Sequence, residues 1–143
     1  MDYTLINKIK DVKGNPAVTI YMNTNRTFPD NNKDSINLKN LITKVGKRIQ
    51  KEYGENESTP MIIKLKKFAS EFDHKYNLDS LMIFVSSDFL EFIRLPVKVN
   101  DSVFISDKFA IKVLLRSIIQ TENYYVLCIS RKVIRLIEAI NDS

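Results

Sequence analysis

The sequence is poor in the residues on which most enzyme chemistry depends. It has one Cys, one His, no Trp and only three Gly, none of them adjacent. A P-loop and a dinucleotide-binding glycine motif are excluded, because both bring backbone close to phosphate at several Gly positions. The single Cys128 leaves no partner for an intrachain disulfide, and one His and one Cys cannot build a structural zinc site. We expect no cofactor, no metal and no catalytic residue in this chain.

Targeting signals and long apolar runs are also missing. The residues from Met1 to Leu5 do not form a basic segment followed by an apolar one. No stretch approaches the ~18 consecutive apolar residues of a membrane span. Together with the single Cys, these features predict a cytoplasmic protein without a membrane partner.

The residues that are present suit a packed domain. The chain has 143 residues, of which 44% are hydrophobic and 27% charged, so its apolar segments are long enough to build one core. Lys and Arg total 22 against 17 Asp and Glu, which gives a net charge of +5. This excess favours a polyanionic partner without requiring one.

Hydrophobic periodicity predicts an α+β fold. The predicted strands are residues 17–22, 81–86, 89–95, 102–105, 124–130 and 133–139, and the predicted helices are residues 35–53, 59–77 and 108–120. The order strand, helix, helix, hairpin, strand, helix, hairpin implies a mixed β-sheet covered by helices. We expect Gly14-Asn15-Pro16 to form a turn before the first strand.

Polar residues before each predicted helix suggest where the helices begin. Asp34 and Asp107 stand where an N-cap side chain would accept the first free N–H groups. Thr59 and Pro60 are typical of an N-cap followed by the first helical residue. Apolar residues then recur at helical spacing, so each helix is expected to bury one face.

Several candidate sites are better explained by structure than by chemistry. Asp30, Asn32 and Asp34 have the spacing that opens a calcium-binding loop, but the sixth and twelfth positions are Ser35 and Leu41 instead of Gly and Glu. The sequence therefore argues against a calcium site. His74, Cys128 and Glu91 are interpreted as a structural or surface residue, a small buried residue and a solvent-facing strand residue, respectively.

The first predicted helix carries a cationic face. At 100° per residue, Lys47, Arg48 and Lys51 fall within roughly 60° of Lys44, opposite the apolar stripe. This stripe consists of Leu38, Val45 and Ile49. Such an array could neutralise phosphates along an RNA backbone. Arg26, Lys33 and Lys39 could extend it, so the candidate RNA-binding residues are Arg26, Lys33, Lys39, Lys44, Lys47, Arg48 and Lys51. The alternative is that a solvated helix face simply carries Lys for solubility.

Two segments resemble a known protein family. Val18 to Arg26 followed by Pro29, and then Lys33 to Leu41, is similar to the opening of the bacterial archaeo-eukaryotic release factor family, in particular its family 3. Leu81 to Ser86, Val103 to Phe109 and Tyr124 to Ser130 resemble later blocks of that family in the same order. The segment from Thr24 to Asn40 is the most specific part.

This resemblance implies a fold like the N-terminal domain of class-one release factors and Pelota, which works at the ribosomal decoding site. It implies a release-factor-like domain over residues 1–121 and the start of a truncated second domain, a β-hairpin, over residues 122–143. The chain contains neither the Gly-Gly-Gln loop of the family's hydrolytic domain nor an Asn-Ile-Lys-Ser motif. The resemblance thus implies a non-catalytic domain that contacts tRNA, rRNA or the ribosome, in translation termination or ribosome rescue.

A second hypothesis belongs to a different class of function. The final hairpin could pair with another chain, since unpaired strand edges invite the addition of a strand. The protein would then be an interaction or self-association module without a nucleic-acid role.

Overall fold

The computed structural model describes residues 4–120, and the two final predicted strands, the predicted start of a second domain and Cys128 lie outside the described residues. The chain forms α1 (Thr4–Ile9), β1 (Lys13–Asn23), α2 (Asn32–Tyr53), α3 (Glu55–Glu71), a 3-10 turn (His74–Tyr76), β2 (Ser80–Ser86), β3 (Phe89–Leu95) and β4 (Ser102–Lys108). Residues 112–120 are helical and are called α4 here. The α+β fold class is therefore confirmed.

The four strands form one sheet in the order β3, β2, β1, β4. All three pairings are antiparallel, with Val18 opposite Val85 and Ile20 opposite both Ile83 and Val103. The expectation of a mixed sheet is wrong for the described strands. Two helices separate β1 from β2, yet the two strands are antiparallel. The helices form a hairpin, so the chain leaves α3 near the end of the sheet at which it entered α2, and β2 then runs back alongside β1.

Helices cover both faces of the sheet, where the sequence predicted only that helices would cover it. On one face, Val18, Ile20 and Met22 pack against α2 and α3; on the other, Ala17 and Tyr21 pack against α1 and α4. Every residue of β2 is buried, since this central strand has helices on both sides. The sequence pattern does not predict α1, because only Ile6 and Ile9 are buried in its six residues, too few to show a helical period.

β1 and β4 are longer than the sequence predicted, whereas β3 has the predicted bounds. β1 continues through Gly14-Asn15-Pro16, where we expected a turn, with an irregular register against β4 between Lys13 and Ala17. Gly14 is needed there, because a Cβ atom would lie 2.8 Å from the Pro16 carbonyl oxygen. Residue Asp107, predicted to cap a helix, lies in β4, since pairing with β1 extends this strand to Lys108. α4 accordingly begins at residue 112.

The helical hairpin also begins differently from the prediction. α3 starts at Glu55, directly after Gly54, which adopts a φ of 82° and reverses the chain. Pro60 therefore lies inside the helix as its sixth residue instead of opening it. Because Pro60 has no backbone N–H, the helix lacks one hydrogen bond to a carbonyl oxygen of its exposed first turn. The helix ends at Glu71, so His74 belongs to the 3-10 turn and not to α3.

Candidate nucleic-acid interface

Four cations of α2 share one exposed surface, which we call the cationic face: Lys44, Lys47, Arg48 and Lys51. The helix presents them outward because Leu38, Val45 and Ile49 bury the opposite side against the sheet. No carboxylate occurs between Ser35 and Lys51. Within residues 4–120, no ion pair joins any of the four to an acid, so their charges face solvent unneutralised.

The other three candidate residues lie at different places. Lys33 is exposed in the first turn of α2, and helical geometry puts it in line with the cationic face but about 16 Å from Lys44 along the axis. Lys39 is exposed about 140° around the helix from Lys44, on the flank toward α3. Arg26 lies in the preceding loop and binds Asp79 through two hydrogen bonds of 2.8 and 3.0 Å. Arg26 is therefore engaged in holding the loop.

A groove separates α2 from α3 beside the cationic face. The helices approach closely at Gly46, where a Cβ atom would lie 3.4 Å from the Ile62 side chain. Farther along, the groove opens into a cleft of about 410 Å³ whose walls carry Lys39 from α2 and Lys66 from α3. The sequence alone does not single out Lys66, since the two lysines become neighbours only when the helices pack.

A buried carboxylate organises the loop that leads into α2. Asp34 is fully buried in the first turn of the helix, which begins at Asn32, so it is not the N-cap that the sequence predicted. Its oxygens accept hydrogen bonds of 2.8 Å from the backbone N–H and from the side-chain amide of Asn25. A third bond of 2.9 Å comes from the amide of Asn77.

This cluster gives the segment from Thr24 to Asp34 a structural role. Thr24 donates to the Leu78 carbonyl oxygen at 2.6 Å, and Arg26 pairs with Asp79. Together with the bonds of Asn25 to Asp34, these contacts fasten the loop to the segment before β2. The residues from Thr24 to Asp34 thus form a scaffold that fixes where α2 begins.

His74 completes the cluster from the 3-10 turn. Its Nδ1 lies 2.9 Å from the Asn77 amide nitrogen, which already donates to Asp34. Nδ1 can accept this bond only when it is unprotonated. Burial lowers the pKa of His74; the Asp34 and Asp73 carboxylates oppose this shift, and Arg94 and Lys39 reinforce it. The folded structure therefore favours neutral His74.

We expect the stability of the protein to fall as the pH drops below about 6.5, where the unfolded chain takes up a proton on His74 that the folded chain resists. The His74 contribution is fully present above that pH and is lost on acidification. Urea denaturation of the wild type and of His74→Gln between pH 8 and 5 measures the difference. A constant difference across this range would contradict the neutral histidine.

The structure also shows the surroundings of Glu91 and of the three residues with calcium-loop spacing. Glu91 is half-buried on β3, with its carboxylate 3.7 Å from the Lys8 ammonium group. Asp30, Asn32 and Asp34 do not share one ligand position, since the Asp34 carboxylate turns inward to Asn25 and Asn77. Within residues 4–120, no group of three or more His, Cys, Asp or Glu side chains is arranged to hold a metal ion.

No helix in the described part of the chain has both the length and the apolar character needed to cross a membrane. Comparison with known proteins found no matching family model and no matching curated protein, so the release-factor resemblance stays a prediction.

Proposed function

We propose that this chain is a non-catalytic domain that contacts the phosphate backbone of RNA through the cationic face of α2. The observation that carries the proposal is that four exposed cations lie together on a rigid helix with no acid among them. Lys and Arg in such an array displace the condensed counterions of a nucleic acid, and the released ions drive binding.

The rest of the structure supports this role by holding the helix rigidly in place. Leu38, Ile42, Val45 and Ile49 are buried against the sheet, so the face keeps its orientation without a ligand. The Asp34 cluster fixes the first turn of the same helix. Binding therefore requires little ordering of the protein backbone, which keeps the entropic cost of association low.

The resemblance to release factors suggests which RNA the domain binds. We propose the ribosome or tRNA as the partner, in translation termination or ribosome rescue, with any hydrolytic step left to another protein or domain. Contacts to the phosphate backbone fit this setting, since they position a protein on RNA without reading the base sequence.

Co-sedimentation with purified ribosomes across a salt series tests the proposal. If the four cations each neutralise one phosphate, the logarithm of the binding constant should fall with the logarithm of salt concentration at a slope of about −3 to −4. A slope near zero, or no binding at low salt, would overturn the proposed function.

A further inference from the structure

The cations around α2 spread farther than a single phosphate row requires. Lys39 and Arg48 are nine residues apart, which places them about 180° from each other around the helix. Lys47 lies between them, about 80° from Lys39. Both flanks of the helix are therefore cationic, as well as its outer ridge.

α3 enlarges the flank on the side of Lys39. Lys66 lines the same cleft as Lys39, and no carboxylate is among the residues of that cleft. Residues 58–70 of α3, like residues 35–51 of α2, contain no Asp or Glu. The acids of this helical hairpin are confined to its ends: Asp34, which is buried, the residues from Glu52 to Glu57, and Glu71. A surface of one sign thus crosses both helices.

Exposed aromatic rings are located elsewhere. Phe28 and Tyr76 are 78% and 68% exposed, but they lie in the loop before α2 and in the 3-10 turn, where Asp30 and Asp73 are also exposed. Proteins that hold single-stranded nucleic acids combine a basic groove with rings on which bases stack. This surface offers phosphate contacts without such rings.

We propose that the partner of this surface is double-helical RNA, with α2 lying along a groove between two phosphate rows. The inference rests on the proposed function and specifies its ligand. A helix with its side chains is about 10–12 Å across, so long side chains that extend outward from its two flanks can reach the two phosphate rows that border a duplex groove. Lys39 and Lys66 then contact one strand, and Lys44, Arg48 and Lys51 contact the other.

The packing of α2 favours RNA over DNA. α2 is held against α3 at Gly46 and against the sheet along its buried side, so only its outer surface can approach a ligand. The major groove of B-form DNA is about 8.5 Å deep and receives a protruding helix. The minor groove of A-form RNA is wide and shallow, and proteins contact its phosphates and 2′-hydroxyls without deep insertion.

Fluorescence anisotropy with three labelled probes tests this inference: an RNA hairpin with a stem of about 16 base pairs, an unstructured single-stranded RNA of equal charge, and a DNA hairpin of the same sequence. We expect the RNA stem to bind at least about tenfold more tightly than either of the others at equal salt. Equal or tighter binding of the single strand or the DNA would overturn the inference and leave the proposed function standing. Failure of all three, together with failure to bind ribosomes, would overturn both.

A matched pair of substitutions tests whether the groove between α2 and α3 takes part in binding. Lys66→Glu and Lys64→Glu make the same charge change two residues apart on α3, about 160° from each other around the helix. Only Lys66 lines the cleft with Lys39. We expect Lys66→Glu to weaken stem binding and to reduce the salt slope by about 1, with a smaller effect of Lys64→Glu. Equal effects of the two substitutions would overturn the assignment of a phosphate contact to the groove between α2 and α3.

Discussion

Asp34→Ala is expected to destabilise the protein by about 3 kcal/mol. The substitution leaves three donors without their acceptor: the backbone N–H and amide of Asn25 and the amide of Asn77. Hydrogen bonds to a charged group contribute more than neutral ones, and a buried donor left unpaired carries its full desolvation cost. Urea denaturation, with the midpoint and slope fitted together, measures the loss.

Asp30→Ala is the matched control for this experiment. Asp30 lies four residues away, in the loop before α2, but its side chain is exposed, and Asn25 contacts only its backbone carbonyl oxygen. We expect a change within about 0.5 kcal/mol, as for most exposed substitutions. Similar losses for the two variants would contradict the central role of Asp34. Asp34→Asn should fall between them, since its single carbonyl oxygen can still accept from Asn25 or Asn77.

Replacing Lys44, Lys47, Arg48 and Lys51 together by Glu is expected to abolish RNA binding at physiological salt, a loss of more than about a hundredfold in affinity. Each reversal changes the charge by two, so the net charge falls from +5 to −3. All four residues are exposed, so the fold should remain intact. Like charges face each other at i and i+4 before and after the change, and a Glu in place of Lys51 near the C-terminus of the helix costs only about 0.3–1 kcal/mol.

A second variant with the same net charge separates the cationic face from overall electrostatics. Lys10, Lys98, Lys108 and Lys112 are exposed and lie outside α2 and α3. Reversing these four also gives a net charge of −3 and slows the approach of any polyanion. We expect this control to retain binding and most of its salt slope. Equal losses in the two variants would show that net charge, and not the face of α2, governs association.

The features that the sequence predicted correctly are those with a local signal. The hairpin of β2 and β3 follows from two apolar runs separated by Ser87-Asp88, and the structure joins the strands at those two residues. The stripe of Leu38, Val45 and Ile49 identified the buried side of α2 and thereby its exposed cations. Periodicity within one element determines both, so no knowledge of neighbouring elements was needed.

The features that escaped prediction depend on residues distant in the chain. Asp34 has the appearance of an N-cap, but Asn77, 43 residues away, draws its carboxylate into the interior. Pairing with β1 extends β4 to Lys108, beyond the strand that the alternation of apolar and polar residues in β4 predicts. The helix α4 therefore begins later, at residue 112. The Lys39 and Lys66 pair likewise arises only from the packing of α2 on α3. None of these long-range pairings leaves a periodic pattern in the sequence.

Lysine footprinting of the wild-type protein tests the claim that RNA contacts the cationic face most directly. Acetylation of each lysine is quantified by mass spectrometry with and without saturating ribosomes, at a salt concentration where binding is complete. We expect strong protection of Lys44, Lys47 and Lys51 and unchanged modification of Lys10, Lys98 and Lys112. Unchanged modification of the first set, or protection of the second set alone, would contradict binding through α2.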